Sequence, residues 1–200
     1  MIDDGYIKFQ IDWEKGPVPD ADLTELIAAR NRLFELGLIG VYEAEGIGYE
    51  NVSLRMGNTG EFVVSGTQTG GVPRAGAGHF TKVVEWNLEK NALRCTGPMK
   101  ASSESLTHAA VYACDPAINA ILHIHNEKMW RRMLDEYPTT KAEVSYGTPE
   151  MAREVYRLYA ETELKEIGIF VMKGHFEGVF AFGKNVFEPL ESLILEFGKD

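Results

Sequence analysis

The sequence predicts a mixed α and β fold in which helices flank a mainly antiparallel sheet, and three observations carry that prediction. The opening "YIKFQIDW", residues 6–13, alternates apolar and polar side chains with the period of a half-buried strand. Between residues 51 and 97 lie short apolar, β-branched segments, "NVSLRM", "EFVVSG" and "TKVVEWNLEKNALRCTG", with "GNTG" and "EKNA" as hairpin connections. On both sides of that run the apolar spacing becomes helical.

Taken in order, Ile7, Phe9, Ile11 and Trp13 share one face of the first strand, which "EKGPVPD" ends. From Asp20 onward Leu23, Leu26, Ile27, Ala29, Leu33, Phe34 and Leu36 fit one face of a helix, with Gly37 as its stop. The Gly-rich "SGTQTGGVPRAGAG", Ser65 to Gly78, has too few apolar side chains for a core element. It is expected to be a surface loop whose backbone N–H groups can approach a ligand. "SSESLTHAAVYA" opens like a helix capped by Ser102 or Ser103, and "NAILHIHN" is a strand. "EKMWRRMLDEY" and "GTPEMAREVYRLYAETEL" are helices, the second with Thr148 as N-cap and Pro149 at its first position. "GIFVMKGH" and "GVFAFG" read as strands, and "VFEPLESLILEFG" as a closing helix. Without a repeat or a linker, residues 1–200 read as one domain.

Thirty acidic against twenty basic residues give a net charge of −10, which disfavours nucleic acid and anionic membranes as partners. The apolar runs are far shorter than the roughly 18 residues of a spanning helix. "MIDDGYIKFQ" lacks a signal-peptide pattern, so a cytoplasmic location is expected. Cys95 and Cys114 form no CxxC pair and read as free, buried thiols.

On a strand, His123 and His125 present both imidazoles to one side while Leu122 and Ile124 face the core. Such a pair is either a bidentate metal clamp or two independently hydrogen-bonded histidines. His175 ends the strand "IFVM" and is the third candidate ligand. His108, one turn beyond Glu104, reads as structural, fixing Glu104 or capping a carbonyl. Glu104 itself falls in the first turn of its helix, where a carboxylate is electrostatically favoured. The two serines before it make a place where an anion such as phosphate can bind.

In the order "ENVS", "VSG", "SSE", "HIH" and "KGHFEG", these segments resemble the class II aldolase and adducin family over most of the chain. The resemblance implies a three-layer α/β/α sandwich around an antiparallel sheet, in a homo-oligomer that is usually a symmetric tetramer. It implies a divalent metal, zinc foremost or manganese or a similar ion, on His123, His125 and His175, with Glu104 as the acid–base. Asn51, Ser53, Ser65, Gly66, Ser102 and Ser103 would then hold the phosphate of a small sugar-phosphate-like substrate. Aldol cleavage through a metal-stabilised enediolate is the leading expectation. Epimerisation or dehydration, or a non-catalytic scaffolding role as in the adducin branch, are the alternatives.

Three departures from the family pattern stand out. Phe176 and Glu177 separate His175 from Gly178, and Glu177 is then a fourth ligand, a source of repulsion toward an anionic substrate, or a solvated residue. The loop "SGTQTGG" is long and polar, which offers Thr67 and Thr69 as substitutes for Ser65 and Gly66. The chain has no tyrosine after His175, so Tyr137 and Tyr146 are the candidates for that role, from a neighbouring subunit. The first 19 residues, with their strand, are additional to the pattern.

Overall fold

The structure, a computed structural model, describes residues 6–134 and 136–199. The first strand, β1 (Gln10–Lys15), starts later than its alternation suggested. Phe9 is buried, and Ile7, Ile11 and Trp13 pack on the same core, so the expected face is the one that is covered. α1 (Thr24–Glu35) ends where Gly37 takes φ +72°. There Gly37 N–H donates to Phe34 O and Leu38 N–H to Leu33 O, which satisfies two of the helix's last carbonyls.

A short hairpin, β2 (Gly40–Tyr42) and β3 (Ile47–Tyr49), follows, with Gly46 in the left-handed region at its turn. The sheet then continues through β4 (Asn51–Arg55), β5 (Phe62–Ser65), β6 (Phe80–Asn87) and β7 (Ala92–Gly97). α2 (Ser105–Cys114), β8 (Ala120–His125), α3 (Glu127–Met133), α4 (Pro149–Glu161) and the short α5 (Leu164–Ile167) come next. β9 (Ile169–Val171), β10 (Gly178–Gly183) and α6 (Phe187–Phe197) complete the order.

Among the described residues eight strands form one sheet in the order β1-β7-β6-β5-β4-β8-β10-β9. Every pairing in it is antiparallel except β1 with β7, which is parallel. Strand alternation sends Phe62, Val64, Ile121, Phe170 and Phe180 to one face, under α2 and α4. Val63, Leu122, Ile124, Val179 and Ala181 go to the other, under α1, α3 and α6. Both faces are therefore cores, as a three-layer α/β/α arrangement requires. Each fully buried Leu, Ile or Phe in them contributes roughly 1.5–3 kcal/mol.

The expected start of α2 needs correction. Glu104, not Ser102 or Ser103, occupies the N-cap position, and no side chain caps the helix. The Ser102 hydroxyl accepts from Glu104 N–H and the Ser102 carbonyl from Ser105 N–H, so the serines form the turn that leads into the helix. At α4 the Thr148 hydroxyl does accept from Met151 N–H, with Pro149 at the first position. α3 is shorter than its pattern suggested, and Asp135 lies outside the described residues.

The Gly-rich segment is also more deeply set than a surface loop. Arg30, fully buried on α1, donates to the carbonyls of Thr69 (2.8 Å), Gly70 (3.0 Å) and Val72 (2.5 Å). Its guanidinium lies 3.8 Å from Glu50, whose side chain is fully buried. Thr69 Oγ1 donates to Gly66 O at 2.8 Å and approaches the Glu50 carboxylate at 3.4 Å. Burial pushes the Glu50 carboxyl up to about 7, against the pull of Arg30 and Thr69.

Candidate metal centre

β8 delivers His123 and His125 to the α2/α4 face of the sheet, in line with Ile121 and opposite Leu122 and Ile124. On one side β8 pairs with β4, which sets Asn51 across from His123. On the other it pairs with β10, which sets Gly178 across from His125. His175 stands in the turn between β9 and β10, where its N–H donates to Met172 O and its carbonyl accepts from Gly178 N–H. Gly174 lets that turn press against the preceding loop, since a Cβ there would lie 2.1 Å from Val144 O.

The turn before α2 brings Glu104 to the same point. Its Oε1 is 3.1 Å from His123 Nε2 and 2.9 Å from His175 Nε2. The nearest ligand atoms of Glu104, His123, His125 and His175 all lie within 4.8 Å of one another, and all four residues are buried.

Hydrogen bonds behind the rings decide which nitrogens face inward. His123 Nδ1–H donates to Val179 O at 3.0 Å, so its Nε2 lone pair points at the cluster. The Tyr42 hydroxyl donates to Glu177 Oε2 at 2.8 Å and lies 2.9 Å from His125 Nδ1. With its proton committed to the carboxylate, that hydroxyl accepts from His125 Nδ1–H, which leaves the Nε2 lone pair facing inward. The two Nε2 atoms are 3.1 Å apart. Two lone pairs and a carboxylate meeting in a buried site repel one another unless a cation lies between them.

Burial raises the Glu104 carboxyl, yet His123 and His175 beside it hold it well below the usual carboxylate range. Burial, together with charge on His175 and His123, holds His125 well below the usual imidazole range. Glu104 Oε2 is buried without a hydrogen-bond partner among the described residues. Three imidazoles and one carboxylate with an orphaned oxygen are a donor set that fits a zinc-type divalent ion.

Residues 25–195 match the Class II Aldolase and Adducin N-terminal domain. The chain belongs to the class II aldolase and adducin family. β1 lies outside the matched residues. Among solved structures, it is similar to L-fuculose-1-phosphate aldolase from Thermus thermophilus, at 20% identity and a TM-score of 0.60, over 87% of this chain and 88% of that one. It is similar to a sugar-phosphate aldolase from Thermotoga maritima at 16% identity and a TM-score of 0.63, over 87% and 89% of the two chains. The protein YgbL from Klebsiella pneumoniae shares 19% identity and a TM-score of 0.63, over 86% and 83%. At these identities the likeness is one of fold. No protein of curated function matches the sequence significantly.

The other residues singled out from sequence stand in varied relation to these four donors. His108 partners Asn51 and Ser53 rather than Glu104: Nε2 meets Asn51 Oδ1, and Nδ1 lies 2.7 Å from Ser53 Oγ. Ser53 Oγ also meets Tyr112 OH at 2.7 Å, so its hydroxyl is engaged on both sides. Burial, aided by His123, lowers His108 to about 3 and keeps it neutral. Ser65 Oγ accepts from Val52 N–H, and Gly66 N–H donates to His79 O. Ser102 and Ser103 are buried beside the α2 N-terminus.

Tyr146 packs against His175 in the same chain, with ring centroids 4.6 Å apart, whereas Tyr137 packs on the opposite core. Glu177 stands behind His125, bound to Tyr42, and is not one of the four convergent donors. Tyr42 and Tyr49 join the site without having been singled out from sequence, the latter stacked on His125 at 5.3 Å. The signal for them was "VYEAEGIGY", two short alternating runs about Gly46.

Proposed function

We propose that this chain is a divalent-metal-dependent lyase that cleaves a small phosphorylated hydroxy-carbonyl compound by a retro-aldol step. The observation that carries the reading is the convergence of His123, His125, His175 and Glu104 on one buried point. The three histidines would hold zinc, or manganese or a similar ion, which when bound supplies Lewis-acid polarisation of the substrate's oxygens. Glu104 is the proton carrier, and Oε2 is the atom for that role because no internal donor occupies it. His108 fixes the Asn51 side chain through Oδ1, and Ser53 holds His108 in turn.

Asn51, Ser65, Gly66, Ser102 and Ser103 line the phosphate end, where the α2 N-terminus favours an anion. Ser53 orients Asn51 in this reading. The sugar-phosphate class draws support from the names of the two aldolases of like fold. Because the four donors are buried, their cover has to shift before a substrate reaches them, and the Tyr49 ring on His125 is part of that cover. A homotetramer acting in the cytoplasm is the assembly that accompanies this reading. No helix among the described residues is long and apolar enough to cross a membrane.

Elemental analysis of the purified protein beside His125→Ala tests the reading. About one divalent ion per chain, absent from the variant, is the expected result. A panel of ketose and aldose phosphates is then assayed for aldehyde release, with Glu104→Gln retaining metal and losing turnover. Wild type that takes up no ion after reconstitution would sink the proposal.

A further inference from the structure

Resting on the metal reading above, we infer that Tyr42 and Glu177 form a relay that sets the tautomer of His125 and so makes it a competent ligand. Glu177 acts through Tyr42 and is a positioning residue, two hydrogen bonds removed from the imidazole's inward face. A tyrosine hydroxyl has one proton to donate, and here the Glu177 carboxylate, which only accepts, takes it at 2.8 Å. The phenolic oxygen then accepts from His125 Nδ1–H at 2.9 Å. Without the carboxylate nothing in this relay fixes the direction of the Tyr42–His125 bond, and the hydroxyl can donate to Nδ1 instead. The imidazole proton would then sit on Nε2, the nitrogen that faces His123 at 3.1 Å, and could not bind a cation there.

Two further observations point the same way. Glu177 adopts φ +67°, a left-handed conformation that glycine takes without strain and a glutamate does not. It sits there next to Gly178, which pairs with His125, so the two-residue insertion after His175 carries the carboxylate to the back of that ligand. The hairpin that brings Tyr42 from the other side is held as a two-stranded unit by β2–β3 pairing. The relay thus joins two segments far apart in sequence, and each supplies one member.

The test is Zn2+ affinity by competition against a chromophoric chelator, with unfolding midpoints of the metal-free proteins measured alongside. Tyr42→Phe and Glu177→Ala are each expected to weaken binding by about 10- to 100-fold. Glu177→Gln should retain most of the affinity, because its amide oxygen still accepts the tyrosine proton. In the Tyr42→Phe background, Glu177→Ala should add nothing. Phe176→Ala, at an exposed neighbour in the same insertion, should leave affinity unchanged.

If wild type binds zinc and both variants bind it equally well, the relay is wrong while the metal centre stands. Simple charge attraction replaces the relay if Glu177→Gln weakens binding as much as Glu177→Ala, or if Glu177→Ala is as damaging without Tyr42. Wild type that binds no zinc removes the metal centre and the relay together.

Discussion

This molecule holds two buried polar centres, and they are built on opposite principles. At Arg30 the guanidinium donates to three loop carbonyls and stands beside the Glu50 carboxylate, so cation and acceptors are supplied from within the fold. At His123, His125, His175 and Glu104 three imidazoles converge on one carboxylate, and no Lys or Arg of the described residues pairs with it. A buried cluster that balances its own donors and acceptors holds structure together. One that leaves acceptors facing each other invites a ligand.

The contrast is tested most severely at Arg30. Arg30→Met leaves Glu50 and three carbonyls without their cation and should cost about 3–5 kcal/mol of stability. It should leave metal content near one ion per chain. Urea unfolding and elemental analysis of the same preparation check both halves, and loss of metal on a stably folded variant would contradict the separation of the two centres.

The reverse experiment removes the ion. Chelation should lower the unfolding midpoint of the wild type by an amount that corresponds to about 3 kcal/mol at a hundredfold excess of free metal over Kd. The same treatment of His123→Ala should change nothing. A midpoint in the variant that still responds to chelator would place the ion elsewhere.

The smallest effect concerns pH. Glu50 has its carboxyl raised from 4.5 to about 7, so the folded state binds a proton that the unfolded chain has released. Its contribution is fully present below about pH 4.5 and is lost as pH rises toward 7, a decline on the order of 1–3 kcal/mol. Subtracting the pH profile of Glu50→Gln from that of wild type isolates the effect. A difference that is flat across this window would mean that Arg30 already holds Glu50 ionised.

The layers and most elements were legible because apolar β-branched runs and helix-start signals survive in the sequence, as in the β5 run "FVVS" and the Thr148–Pro149 helix start. The three histidines and Glu104 were legible as a set through the order of motifs rather than through any one of them. What was hidden depends on long-range partners. His108 looked bound to Glu104 by helical spacing, but sheet pairing puts Asn51 and Ser53 within its reach. The Gly-rich loop looked like surface because its anchor, Arg30, lies some forty residues earlier. Tyr42 gives no sign in sequence that it will meet Glu177, since a three-residue strand carries too little pattern to announce itself.

The parallel pairing of β1 with β7 also bears on how the chain assembles. Gln10 aligns with Ala92, roughly eighty residues away, and no tight turn can join parallel neighbours. Closing so long a loop is slow, so this edge strand should dock after the antiparallel meander of β4 to β7 has formed. By the same token it is the ladder most easily lost. Its amides should exchange with solvent through an opening that leaves β8, five strands away, fully protected. The edge ladder can therefore open while β8, which carries two of the histidines, stays paired with β4 and β10.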